Sequence, residues 1–377
     1  MKSFVTHFIA GARPNFMKIA PIIKAMERRQ QEGEGRGRDL QVRIVHTGQH
    51  YDANMSDIFF RELGIPEPDY NLEVGSGSHA EQTAKVMLAY EKILLKDRPD
   101  LVVVVGDVNS TIACSLTARK LGIRVAHVEA GLRSFDMEMP EEINRILTDR
   151  ISDLLFVTEE SGIKNLKNEG VCDDRIHFVG NVMIDTLVSN LGKLDGEGYE
   201  VSPAISNFID EGNDYGVMTL HRPSNVDDQK VFSRIWGAVQ EIGGKIPILF
   251  PVHPRTRARM SDFGLEPDGV HLIDPIGYRD MLSAFRKAKM VLTDSGGIQE
   301  ETTFLGVPCI TIRENTERPS TVDIGTNYLA GTDPDEICSI ANKILEGRGK
   351  KGQIPPLWDG KSAERIVEVL INQVIFS

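Results

Sequence analysis

The chain has 377 residues, 41% of them hydrophobic and 26% charged, a length and balance that predict two or three globular domains and exclude disorder, collagen and coiled coil. Its 55 acidic against 43 basic side chains leave a net charge of −12, which argues against a broad nucleic-acid-binding face and confines any anion site to a local cluster of cations. The 4 cysteines lack zinc spacing and read as reduced thiols, no apolar run could span a bilayer, and the N-terminus enters a strand without a signal-peptide core, so the expected compartment is the cytoplasm.

In chain order, residues 4–10 read as a strand and 16–29 as a helix, then 42–47 as a strand after a charged, glycine-rich loop at 30–39. Residues 101–105 are apolar throughout without alternation, the mark of a parallel strand buried on both faces. Helix 111–121, strand 124–129, helix 143–151 and strand 154–157 continue a βαβ series. Residues 182–214 read as polar and irregular. A second series follows: strand 215–220, helix 230–242, strands 247–251 and 270–273, helix 278–288, strand 290–293, helix 298–304, strand 309–312 and helix 334–345. The fold class is therefore α/β, with two Rossmann-like doubly wound domains whose ligand sites are expected at the carboxyl ends of the strands and in the cleft between domains. The expected domains are 1–180, 181–355, and a helix-bearing segment 356–377 after the Pro355-Pro356 break.

A dinucleotide fingerprint, a P-loop, HExxH and GxSxG are all missing, so neither a nicotinamide cofactor, nor P-loop hydrolysis, nor a serine nucleophile is indicated. Chemistry-bearing residues gather instead where strands end. Gly11, Arg13, Pro14 and Lys18 follow the first strand and bring two cations to a helix start, an anion-binding locus; a plain strand–helix turn with solvated charges has equal weight. Asp107 follows the buried strand, with Asn109 or Ser110 available to cap the next helix. Glu129 ends another strand. Glu141 opens a helix on which Asn144 and Arg145 share its face, although acids there also complement the helix dipole. Three acids in one crevice suggest a metal or a proton-transfer task.

In the second half His221-Arg222 and His253-Pro254-Arg255 end strands. The sharpest segment is Asp294-Ser295-Gly296-Gly297, a small-residue turn opening a helix, where bare backbone N–H groups can meet a phosphate. Glu301, about one turn in, can take ribose hydroxyls, and Arg318 adds a cation.

Together, GARPNFMKIAP (11–21), GDVNST (106–111), HVEAGLRS (127–134), MPEEINR (139–145), HRPSNVDD (221–228), PVHPRTR (251–257), TDSGGIQEE (293–301) and TERP (316–319) resemble the non-hydrolysing UDP-N-acetylglucosamine 2-epimerase family, in family order across nearly the whole chain. The resemblance implies a glycosyltransferase-B-like fold with the last helix crossing back to the first domain, a homodimer, a UDP-sugar substrate, and no metal, cofactor, nucleic acid or membrane. It implies that Arg13, Lys18, His221, Ser295, Gly296, Gly297, Glu301 and Arg318 hold the UDP-sugar, with uracil against the backbone near Ile276 and the side chain of Met281. Asp107, Glu129 and Glu141 match the catalytic carboxylates, Arg145 a supporting position, and His221 serves with them. The implied reaction interconverts UDP-N-acetylglucosamine and UDP-N-acetylmannosamine for polysaccharide biosynthesis. Alternatives are a 2-epimerase of a related sugar such as UDP-2,3-diacetamido-glucuronate, a hydrolytic variant, a glycosyltransferase of the same fold, and a non-catalytic sensor. Asn15 stands where many members have Glu after Arg-Pro, and residues 49–55 depart from the family pattern linked to a second, activating UDP-sugar.

Overall fold

The computed structural model describes residues 3–11, 13–33, 39–48, 64–196, 199–209 and 214–375. Residues 49–55, where the sequence departs from the regulatory pattern, lie outside them. The chain forms two compact units, Met1–Thr186 with Pro356–Ser377, and Leu187–Pro355.

The first unit is built on seven strands: β1 (Ser3–Ala10), β2 (Asp39–His46), β3 (Tyr70–Asn71), β4 (Leu101–Val105), β5 (Arg124–Ala130), β6 (Leu154–Val157) and β7 (Ile176–Phe178). They pair in parallel in the order β3-β2-β1-β4-β5-β6-β7. Helices α1 (Arg13–Gln31), α2 (His79–Lys96), α3 (Asn109–Lys120), α4 (Pro140–Ile151) and α5 (Glu160–Asn168) connect them. All five residues of β4 are buried, as a strand covered by helices on both faces must be. The order reverses between β1 and β4, and loops leaving neighbouring strand ends in opposite directions open a crevice there.

α6 (Val182–Asp195) and α7 (Pro203–Ile209) fall where the sequence reads as irregular. That expectation is corrected: Val182, Met183, Ile184 and Leu187 are buried, so apolar spacing outweighs the polar and glycine-rich composition around them. α2 also escaped the sequence reading, because Leu88 and Leu95 stay exposed and blur its apolar stripe, while Val86, Tyr90 and Leu94 face the core.

The second unit repeats the plan with β8 (Gly216–Thr219), β9 (Ile248–Pro251), β10 (Val270–Ile273), β11 (Met290–Thr293), β12 (Cys309–Thr311) and β13 (Asn327–Leu329), in the order β10-β9-β8-β11-β12-β13. Its helices are α8 (Pro223–Val226), α9 (Gln229–Gly243), α10 (Pro254–Asp262), α11 (Tyr278–Lys287), α12 (Gly296–Leu305), α13 (Pro319–Asp323) and α14 (Pro334–Leu345). Phe232, Trp236, Phe250 and Ile337 centre one face of its core. Here the order reverses between β8 and β11.

The final helix, α15 (Ser362–Leu370), belongs to the first unit. Asp185 accepts from Ser362 N at 3.1 Å and Ala363 N at 2.7 Å, satisfying its first turn. Trp358 Nε1 donates to Thr158 O at 2.9 Å, and Arg28 pairs with Glu364.

Candidate functional site

Each reversal of strand order gathers a polar cluster. In the first unit, β1 leads through Gly11 into α1. Gly11 has no room for a side chain, since a Cβ would collide with Ser110 Oγ. Arg13 opens α1, and its side chain lies outside the described residues. Asn15 Nδ2 donates to the Val105 carbonyl at 2.8 Å, pinning the start of α1 to the end of β4. Lys18, expected to meet the ligand, forms a buried ion pair with Glu129. Glu129 has φ +74° at the point where the β5–β6 register shifts. A left-handed conformation at a non-glycine residue costs roughly 1–3 kcal/mol and persists only where its surroundings enforce it. Gly106, with φ +68°, leaves the space beside this pair: a Cβ there would lie 3.2 Å from Lys18 Nζ and 3.3 Å from Glu129 Oε2.

Asp107 lies 3.4 Å from Arg145 Nε, and Asn144 Nδ2 donates to the Asp107 carbonyl at 2.9 Å. The expected cap by Asn109 or Ser110 is not formed; Val108 takes the cap position without a side-chain bond. Asn109 is held instead by Gln82 at 2.9 Å and His79 at 3.2 Å. Glu141 is half-buried on α4. Its neighbour Glu142 is the buried one: it accepts from Ser134 N at 3.0 Å, Phe135 N at 2.9 Å and Arg145 Nη1 at 2.9 Å. Glu142 therefore fixes the loop before α4 and the guanidinium beside Asp107.

In the second unit, the end of β8 and the end of β11 are joined by Thr219 and Thr293, whose hydroxyls lie 2.7 Å apart. Asp294 is fully buried. Its Oδ2 accepts from His221 N at 3.0 Å and Arg222 N at 2.7 Å, and its Oδ1 lies 3.0 Å from His221 Nδ1. Burial alone would raise this carboxyl, but the His221 ring and the two backbone donors outweigh it and hold it below the usual carboxylate range. The His221 ring is 53% exposed.

Ser295 stands at the N-cap of α12 without a side-chain cap bond, and Gly296 and Gly297 form its first turn. Arg318 lies over this helix start, 2.8 Å from Glu300 and paired with Glu317; a Cβ on Gly296 would come within 2.6 Å of Arg318 Nη1. One turn along α12, Glu301 Oε1 accepts from the Tyr278 hydroxyl at 2.9 Å. Burial first, and the Glu301 carboxylate second, raise the Tyr278 hydroxyl well above its ordinary range, so it stays a donor. Ile276 and Met281 are half-buried against the core around Phe285.

The structure thus brings Lys18 to Glu129, Arg145 to Asp107, and His221, at the end of β8, to Asp294, which precedes Ser295, Gly296 and Gly297 at the end of the neighbouring β11. Sequence reasoning passed over Asp294, Glu142 and Tyr278. Asp294 sat inside a quoted motif, but nothing local marks it as the partner of His221, 73 residues away. Among the described residues, no group of three or more His, Cys, Asp or Glu side chains is placed to hold a metal ion.

Two Rossmann-like units with polar clusters at their reversal points define a two-domain α/β enzyme of the glycosyltransferase-B-like kind. Residues 34–371 match the profile of the UDP-N-acetylglucosamine 2-epimerase family. The UDP-N-acetylglucosamine 2-epimerase of Methanocaldococcus jannaschii is 44% identical over 369 residues, covering 96% of this chain and 97% of that one. The crystal structure of the M. jannaschii enzyme in complex with UDP-GlcNAc and UDP superposes with a TM-score of 0.85 at 42% identity, over 97% of this chain and 99% of that one. A UDP-2,3-diacetamido-2,3-dideoxy-D-glucuronate 2-epimerase of Pseudomonas aeruginosa is 41% identical over 372 residues, covering 96% and 98%. The chain belongs to the UDP-N-acetylglucosamine 2-epimerase family, a family of isomerases.

Proposed function

We propose that this protein interconverts UDP-N-acetylglucosamine and UDP-N-acetylmannosamine by inversion at C2, through elimination of UDP to 2-acetamidoglucal and re-addition. The C2 proton is not α to a carbonyl, so a carboxylate alone cannot remove it and let it return on the other face. Departure of UDP with the C1–O electron pair makes C1 oxocarbenium-like and the C2 proton acidic. Loss of that proton gives the C1=C2 bond of the glucal. Protonation of C2 from the opposite face and return of UDP to C1 complete the inversion.

The first unit supplies the carboxylates Asp107, Glu129 and Glu141 that act on the sugar, with Arg145 supporting Asp107. The second unit holds uridine diphosphate: the diphosphate by the Ser295-Gly296-Gly297 turn, His221 and Arg318, with Arg13 from the first unit; the ribose by Glu301; and the uracil near Ile276 and Met281. The observation that carries this reading is Glu129, a carboxylate held in left-handed backbone at a strand end, charge-paired with Lys18 and beside a glycine that clears space for a ligand. Backbone N–H groups at the α12 start with an arginine over them suit a diphosphate. No helix among the described residues is long and apolar enough to cross a membrane, and the free thiols of Cys114, Cys172, Cys309 and Cys338 fit the reducing cytoplasm. Exposed Leu88 and Leu95 on α2 and Ile143 and Leu147 on α4 fit the contact of a homodimer.

Proton NMR of UDP-N-acetylglucosamine with the pure protein in D2O tests the proposal. UDP-N-acetylmannosamine carrying deuterium at C2 is the expected product. Free N-acetylmannosamine and UDP would instead mark a hydrolytic enzyme. Turnover of UDP-2,3-diacetamido-glucuronate alone would move the activity to the substrate of the Pseudomonas relative.

A further inference from the structure

His221 and His253 leave neighbouring strand ends of the second unit, and each turns the Nδ1 edge of its ring to the protein, His221 towards an acceptor and His253 towards a donor. His253 Nδ1 accepts from Arg255 N at 3.3 Å, so that nitrogen carries no proton. Burial first, and then the positive neighbours His221 and Arg255, lower the proton affinity of His253. Asp294 is the buried carboxylate that meets His221. Oδ2 takes His221 N, Arg222 N and, at 3.3 Å, Asn225 Nδ2, whereas the buried Oδ1 accepts no other hydrogen bond from the described residues and lies 3.0 Å from His221 Nδ1. Asn225 is itself fixed, donating also to the Ile312 carbonyl at 2.9 Å. The carboxylate cannot rotate without breaking backbone bonds on both sides of His221.

We propose that Asp294 is the positioning residue of the reaction: it holds His221 with Nδ1–H directed at Oδ1, so that Nε2, on the exposed edge of the ring, carries the proton given to the departing diphosphate. This rests on the proposed function above. When the C1–O bond breaks, its electron pair passes to the β-phosphate oxygen. The Nε2 proton transfers to that oxygen, and the ring becomes neutral in the Nδ1–H tautomer that Asp294 accepts. The C2 proton goes separately to a carboxylate of the first unit. Re-addition runs the same transfer backwards. A carboxylate orienting an imidazole through Nδ1 selects its tautomer, and the amide variant of such a pair presents the wrong one.

Asp294→Asn isolates this role. Three N–H donors require an oxygen at the Oδ2 position, so the amide nitrogen must face His221 Nδ1 and donate to it. His221 is then forced to the neutral Nε2–H tautomer. The expected result is a fall in kcat of about a hundredfold or more, while UDP affinity by calorimetry changes far less, because Nε2–H still donates to phosphate. In 15N-histidine NMR, with the His221 signals assigned from a His221→Gln spectrum, the wild type shows a protonated Nδ1 and the Asn variant an unprotonated one. A wild-type spectrum with unprotonated His221 Nδ1 overturns the proposal whether or not the variant folds, and so does a folded Asn variant with nearly unchanged kcat. Wild-type protein that epimerises no UDP-sugar would overturn the proposed function while leaving the ring's protonation measurable, so the two failures are distinct.

Discussion

His127 Nδ1 lies 2.6 Å from Asp149 Oδ1, while His127 Nε2 lies 2.8 Å from the Gly106 carbonyl oxygen. Asp149 reaches onward, taking Gly131 N at 3.0 Å and Arg133 Nη1 at 2.8 Å. One fully buried ring therefore ties Gly106, just before Asp107 at the end of β4, to Gly131, just after Glu129 at the end of β5.

Removing Asp149 leaves a buried imidazole and guanidinium without their shared counter-charge. Asp149→Asn is expected to destabilise the first unit by about 3–5 kcal/mol, measured by urea unfolding. Burial would raise the Asp149 carboxyl, but His127 and Arg133 outweigh it and hold it below the ordinary range. A depressed carboxyl contributes stability above its unfolded value and loses it as pH falls, so the gap between wild type and variant should narrow below about pH 4. A gap independent of pH down to acid unfolding contradicts this.

Glu129→Gln keeps the shape of the strand end and removes the charge. Its kcat should drop by about 10²–10⁴-fold, with UDP affinity largely preserved, because most of the residues proposed to hold uridine diphosphate belong to the other unit. The strained backbone gives a second, independent test. At φ +74° a Cβ is unwelcome and glycine is at ease, so Glu129→Gly should be about 1 kcal/mol more stable than Glu129→Ala although both are inactive. Equal stabilities would show the backbone relaxes freely.

Gly296 is conformationally ordinary but sterically closed. A methyl group there would sit 2.6 Å from Arg318 Nη1 and 3.0 Å from Glu317 Oε1. Gly296→Ala should displace Arg318 and weaken UDP binding by about tenfold, the worth of one charge-assisted hydrogen bond. Gly237→Ala, inside α9 with nothing near its added Cβ, should leave binding unchanged. Calorimetric titration with UDP compares the two.

Asp185 caps α15 from the far side of the sequence, and burial pushes its carboxyl up to about 6. A raised acid stabilises the folded state where it is protonated and loses that contribution as pH rises through its folded value. The wild type should therefore lose up to about 3 kcal/mol from this group between roughly pH 4 and pH 6. Asp185→Asn lacks the titration, so its stability relative to wild type should improve across that interval. A relative stability that is flat from pH 4 to 7 would refute the assignment.

The α/β class was legible because parallel strands buried on both faces leave a local mark, as in residues 101–105, which are β4 with the same bounds. Strand 154–157, helix 334–345 and the strand-end positions of Asp107, Glu129 and His221 were legible for the same reason: apolar runs, their stop signals and the polar residues after them are all short-range. Residues 182–214 misled because composition was weighed above periodicity, and α2 was missed because part of its apolar surface faces outward.

By itself, then, the sequence determined the elements, their alternation and which polar residues stand where strands end. Only the tertiary structure decided their partners. Lys18 meets Glu129 across 111 residues, His221 meets Asp294 across 73, and Tyr278 rather than solvent binds Glu301. Strand order made those choices: placing β4 beside β1 and β11 beside β8 juxtaposes turns distant in the chain. Once buried there, a charge must find its counter-charge within a few ångströms.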